Sequence, residues 1–249
     1  YPYDYGDDGT HPQEDSGRAD WLGGEVTAGR QMRGRHFVTV GTEMRYALRQ
    51  GQFGVALGEE QVYDSRRSGT WGAYVQDEVT LTPRLAVTGG VRVDHYGRYG
   101  TEWSPRAAAV FNPTHASALK LMYGRAFRAP NAYELHYYPS ADGGLSLQPE
   151  TIHTTEAAWE QYYGSNLRST VSIFHSRIGD LISQTNTGEG DAFPFTNQPG
   201  ARSTGIEAEM EARMGRGVIA RGSHSWTRAV ADDQSLPLSN SPSHLTQYE

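Results

Sequence analysis

The sequence predicts an all-β protein, an antiparallel up-and-down transmembrane β-barrel with lipid outside and a polar lumen inside. Two observations predict it: strands of period two with one apolar wall, and connections that alternate between tight turns and long polar loops. In residues 38–46, Val38, Val40, Thr42, Met44 and Tyr46 share one face, opposite Thr39, Gly41, Glu43 and Arg45. In 85–94, Leu85, Val87, Gly89, Val91 and Val93 oppose Ala86, Thr88, Gly90, Arg92 and Asp94. In 205–212, Ile206, Ala208, Met210 and Ala212 oppose Gly205, Glu207, Glu209 and Glu211. Successive side chains of a strand point to opposite faces, so each segment has an apolar wall and a polar one.

About ten strands are read from this pattern, at 21–32, 36–47, 70–80, 85–96, 103–111, 117–126, 151–162, 167–178, 199–213 and 218–228. The connections at 33–35, 81–84, 112–116, 163–166 and 214–217 are short, and each holds the Gly, Pro or Asn that tight turns need. The alternate connections, 48–69, 97–102, 127–150, 179–198 and 229 onward, are mostly long. One rim therefore carries turns and the other carries loops, the asymmetry of outer-membrane barrels. A lectin-like sandwich also alternates polar and apolar residues, but its Greek-key connections do not sort by length in this way.

The composition agrees. A net charge of −7 argues against a nucleic-acid binder, which carries a basic stripe. No stretch approaches the ~18 apolar residues of a membrane-spanning helix, whereas a barrel strand needs only ~9–11 residues, half of them apolar. Cysteine is absent, which excludes a disulfide framework and thiolate metal sites. Trp21, Tyr46, Trp71, Tyr96, Trp103, Tyr123, Tyr162 and Trp226 fall towards strand ends. Rings at a membrane interface explain that placement, and so does cross-strand packing. The histidines lack metal-site spacing, and no nucleophile elbow occurs. No catalytic residue, resident metal or cofactor is expected.

Several collinear blocks carry a family resemblance. They are WGAYVQDE at 71–78, LAVTGGVRVD at 85–94, Ser104-Pro105-Arg106, Asn112-Pro113, and LKLMYGRAFRAPNAYEL at 119–135. Leu147-Gln148-Pro149-Glu150, Asn197, Gly205-Ile206-Glu207 and Asn240-Ser241-Pro242 follow in order. Together they resemble the barrel of TonB-dependent outer-membrane receptors. The resemblance implies an open portion of a larger, 22-stranded barrel in the outer membrane of a Gram-negative bacterium. It also implies active import of a scarce, bulky nutrient such as a ferric siderophore or cobalamin. Residues 1–249 are expected to be a partial barrel domain without the plug, the TonB box or the C-terminal strands. The implied partners are the TonB complex, reached through the plug region, a small-molecule ligand such as a metal chelate, and outer-membrane lipid. A passive porin-type channel and a soluble β-rich binding module are the alternatives.

Two groups of candidate site residues follow. Arg92, Asp94, Arg168, Glu207, Glu209, Glu211 and Arg221 lie on polar faces and are expected to line the lumen; their plainer reading is a solvated sheet face with cross-strand ion pairs. If Ala212 pairs with Val218, Glu209 lies opposite Arg221. Asp77 falls on the lipid face near a turn, where headgroups hydrate it, unless a bulge re-aims it. Arg128, Tyr133, Glu134, Tyr137 and Tyr138 form the candidate ligand-binding loop, with packing of the loop itself as the plainer role. The Arg128-Ala129-Pro130 segment is read as structural.

The loop reading has a direct test. Replacing Tyr137 and Tyr138 with alanine in the full-length receptor is expected to weaken ligand binding roughly tenfold or more, at on the order of 1 kcal/mol per stacked ring. Equilibrium binding to whole cells at matched surface levels measures it, and unchanged affinity removes both rings from the binding site.

Overall fold

The computed structural model describes residues 14–56, 59–136, 147–185, 194–232, 238 and 241–249. Its strands are β1 (Glu14–Met32), β2 (His36–Ala56), β3 (Glu59–Thr82), β4 (Leu85–Tyr96), β5 (Gly100–Thr114) and β6 (Ser117–Arg128). A short helix, α1 (Ala132–His136), precedes β7 (Glu150–Tyr163), β8 (Leu167–Gly179), β9 (Leu181–Gln184) and β10 (Phe195–Gln198). The last strands are β11 (Ala201–Met214), β12 (Val218–Ala231) and β13 (His244–Tyr248). Eleven of these make one open antiparallel sheet in chain order, with β8 pairing directly with β11. The β9–β10 hairpin stands apart as a two-stranded sheet.

The alternation read from sequence holds in space. A single lateral row runs Val79–Val87–Ala109–Leu121–Ala157–Ile173–Ile206–Trp226, each residue directly opposite the next. The apolar sets of β4 and β11 therefore share one face, as expected. Large apolar side chains on it stand open: Val40 is 46% exposed, Ile173 53% and Met210 54%. A soluble sandwich would bury such a face against a second sheet, and the described residues supply none.

The turns sort as the sequence predicts. Connections 33–35, 83–84, 115–116, 164–166 and 215–217 lie at one rim. Arg33 and Gly34, at φ 50° and 71°, form the left-handed bend of the first, where only glycine is unstrained. The last is a single 3-10 turn at Gly215–Gly217, closed by Gly217 at φ 80°.

The loop rim differs from expectation in three places. The 48–69 segment continues β2 and β3, at 21 and 24 residues, because backbone pairing needs no side-chain alternation. Its Gln- and Gly-rich stretch has no period-two signal to read. The 179–198 connection carries the β9–β10 hairpin, whose four-residue strands are too short for a periodic pattern. Residues 244–248 add a further strand on β12.

The aromatic reading is also corrected in part. Tyr46, Trp71, Trp103, Tyr123 and Trp226 lie on the apolar face. Trp21, Tyr96 and Tyr162 do not. Trp21 alternates with Leu22, which pairs with Tyr46 on the apolar face, so its indole lies on the polar face, where the Arg45 guanidinium stacks 4.6 Å from its ring. Asp77 sits on the apolar face as expected, with no bulge, near the turn rim; its Oδ2 lies 2.7 Å from His36 Nδ1.

The face assignment is testable. Ile173→Arg puts a charge within the apolar band and should cost about 2–4 kcal/mol of folding stability in lipid vesicles, whereas Ser172→Arg on the other face should cost little. Equal effects would break the assignment of the two faces.

Candidate functional site

The polar face is organised by arginines that each hold carboxylates from neighbouring strands. Arg92 on β4 clasps Asp94 in the same strand, with Nε and Nη2 at 2.6–2.9 Å. It also reaches over β3 to Glu43 on β2 at 2.9 Å. Gly72 lies beneath that crossing: a Cβ there would stand 2.5 Å from Asp94 Oδ1 and 2.6 Å from Arg92 Nη2. The missing side chain is what lets one guanidinium bridge three strands.

A second hub centres on Glu211, a carboxylate buried between cations. Arg221 on β12 and Arg213 each donate to it at 3.0 Å, and Arg168 on β8 approaches to 3.8 Å. Arg168 also donates to Glu209 at 2.7 Å. The expected opposition of Glu209 and Arg221 is therefore replaced. The 3-10 turn brings Met214, not Ala212, opposite Val218, so Arg221 faces Glu211 and Glu209 faces Ser223. The displacement is even, so the side chains keep their face. Glu207 shares that face and has no ion pair among the described residues. Glu160, which Lys120 holds at 2.6 Å, borders a cleft of about 420 Å³ together with Arg168, Glu207 and Glu209.

The candidate loop begins as a tied structure. Asn131 caps α1: its Oδ1 accepts from Glu134 N at 2.9 Å, and Glu134 Oε2 accepts from Asn131 N at 2.8 Å. This reciprocal pair is a capping box with Asn in place of Ser or Thr. Arg128, at the end of β6, donates Nη1 to both oxygens of the buried Glu134 at 2.8 and 2.9 Å, and Nε to Glu150 at 2.6 Å. The other oxygen of Glu150 accepts from Ile182 N at 2.7 Å. One guanidinium thus joins the end of β6, the helix, the start of β7 and, through Glu150, the β9–β10 hairpin. The paired guanidinium holds the Glu150 carboxyl below its ordinary range against the opposing pull of burial.

Sequence reasoning did not assign Asn197 or Tyr99 to this knot. Asn197 accepts from Gln148 N at 2.8 Å and donates to the carbonyls of Gln148 and Asp180 at 2.9 and 2.7 Å. Its place in the family-like blocks was the only signal of it. Tyr99 packs on a small core of Leu135, Leu147 and Ile182, with its hydroxyl buried and unpartnered among the described residues. Burial pushes that phenol up to about 12. Tyr133 stacks edge-on against Phe195 at 5.8 Å. Arg128 and Glu134 are thus brought together in the knot and Tyr133 lies beside it, while Tyr137 and Tyr138 lie outside the described residues.

Comparison with known proteins places this geometry. A family model described as TonB dependent receptor-like, beta-barrel, matches residues 1–247. The iron-regulated outer membrane virulence protein of Vibrio cholerae serotype O1 is 27% identical over 196 residues, 70% of this chain and 30% of that protein. The vitamin B12 transporter BtuB of Vibrio vulnificus is 34% identical over 116 residues, 45% of this chain and 18% of its own length. The ferripyoverdine receptor of the Pseudomonas aeruginosa outer membrane superposes with a TM-score of 0.74 at 16% identity, covering 96% of this chain and 36% of that one. At that identity the likeness is one of fold. The chain thus spans about a third or less of these proteins.

The knot makes its own prediction. A carboxyl depressed in the folded state stabilises above its unfolded value, and that stability is lost as pH falls through the lower folded one. The protection factor of the Ile182 amide, its exchange rate relative to an unstructured amide at the same pH, should therefore be high at neutral pH and fall only below the ordinary carboxylate range. Arg128→Ala should open the same amide at neutral pH, and Arg128→Lys should restore it incompletely, because one ammonium cannot reproduce the planar fork. Unchanged protection in Arg128→Ala would mean the hairpin is held by other contacts.

Proposed function

This chain belongs to the TonB-dependent receptor-like β-barrel family, and from that premise we propose that it is wall and rim of an importer energised through TonB. The family is one of outer-membrane receptors and transporters, not of enzymes. The cargo we propose is a scarce, bulky metal chelate of the ferric siderophore or cobalamin kind. The TonB complex engages through the plug region of the whole receptor.

One observation carries this reading: an ion-paired polar face backs onto one whose apolar row crosses eight strands. That is the cross-section of a wall between lipid and a hydrated lumen. Carboxylates and guanidiniums that satisfy one another on the lumen side present a polar surface without isolated charges. The tied rim is a rigid base at the mouth where a ligand first meets the receptor.

The test is uptake by cells whose only such receptor is the full-length protein, supplied with labelled ferric siderophores or cobalamin. Saturable uptake that stops when TonB is deleted is the expected result. Uptake that persists without TonB would make it a passive porin-type channel. Failure to bind or import any of these chelates would overturn the cargo class.

A further inference from the structure

The membrane-facing side of the wall holds a cationic patch that the lumen and loop readings do not use. By strand alternation from the apolar row, Arg177 on β8, Arg202 on β11 and Arg228 on β12 all point outward. Arg177 and Arg202 are directly opposite each other in the ladder. Like charges in that position repel and destabilise a sheet unless an anion lies between them. The described residues offer one acid, Asp232, at 3.9 Å from Arg177 Nε and 3.7 Å from Arg202 Nε. Neither distance is a hydrogen bond. The two guanidinium side chains remain 71% and 51% exposed, and Arg228 has no partner among the described residues.

Depth identifies the environment. Arg177 lies roughly ten residues above the turn-side start of its strand, at Leu167. At about 3.3 Å per residue and a tilt of about 45°, that is about 23 Å, close to the ~25 Å height of an apolar barrel band. The patch therefore stands at the loop-side edge of the hydrocarbon, level with lipid headgroups. Trp71 and Trp103 on the same face reach a similar height, as interfacial rings do.

We propose that Arg177, Arg202 and Arg228 form a binding surface for a phosphate-bearing lipid of the outer leaflet. A lipid phosphate supplies the closely hydrogen-bonded anion that Asp232, at 3.7–3.9 Å, does not, and accepts the planar guanidinium forks in bidentate fashion. Asp232 competes with it and keeps the pair tolerable when no lipid is seated. Neither the lumen nor the imported ligand is involved, so the surface stands or falls independently of the cargo.

The experiment uses the full-length receptor in phosphatidylethanolamine nanodiscs doped with lipopolysaccharide that carries its lipid phosphates. Native mass spectrometry counts the molecules retained. Wild type should hold the lipid in a salt-sensitive manner. Arg177→Gln with Arg202→Gln should weaken retention roughly tenfold or more, as the loss of two charge-assisted contacts implies. Asp232→Asn should tighten it, an effect that a purely structural patch would not produce. Equal retention by the double variant, or displacement of the lipid by inorganic phosphate alone, would overturn the proposal. If the double variant fails to assemble, as read by heat-modifiable electrophoretic mobility, Arg228→Gln takes its place with the same expectation and the same overturning results.

Discussion

A backbone that crosses hydrocarbon must satisfy every N–H and C=O within the protein, because no water is there to do it. In this chain the ladder does so from strand to neighbouring strand, with eleven strands paired in chain order. The remainder of the design follows from that continuity. Once pairing is unbroken and antiparallel, each residue's face is set by parity alone, and the apolar row from Val79 to Trp226 crosses eight strands without a lapse. A large hydrophobic core is unnecessary: the fully buried apolar residues are few, and the cluster of Leu135, Leu147 and Ile182 lies at the rim rather than in the sheet.

The polar face solves a different problem. Charges on a partly buried face are costly unless paired, and the arginines here serve several carboxylates at once. Arg92 needs a bare backbone at Gly72 to cross a strand; Glu211 needs three guanidiniums from β8, β11 and β12. The outward face shows the contrast. Arg177 and Arg202 are set against each other with only a distant acid, and His36 with Asp77 is a polar pair close to the turn rim. The two faces thus differ in how fully their charges are compensated.

At the loop rim, the ladder ends and side chains take over its work. Glu134, Glu150 and Asn197 supply hydrogen bonds to backbone groups outside the main sheet, and Arg128 holds both carboxylates. A rim held by a few charged contacts is stiffer than a free loop and easier to release than a strand, so changes there should alter loop order before they alter the barrel wall.

The sequence by itself determined ten of the strands, their two faces, the division into a turn rim and a loop rim, and the place of Asp77 on the apolar face. All of these are local consequences of period-two alternation and of turn chemistry. The tertiary structure alone decided which residues meet. Parity leaves every even register on the same face, so the choice of Glu211 over Glu209 for Arg221 waited on the geometry of one 3-10 turn. The register shift that begins at Asp20 is likewise marked by no pattern in β1. The β9–β10 hairpin, the Asn197 clasp and the opposition of Arg177 to Arg202 join residues tens of positions apart through pairings that periodicity cannot specify. Alternation reports direction within one strand, whereas contact between strands depends on register, and register is a property of the assembled sheet.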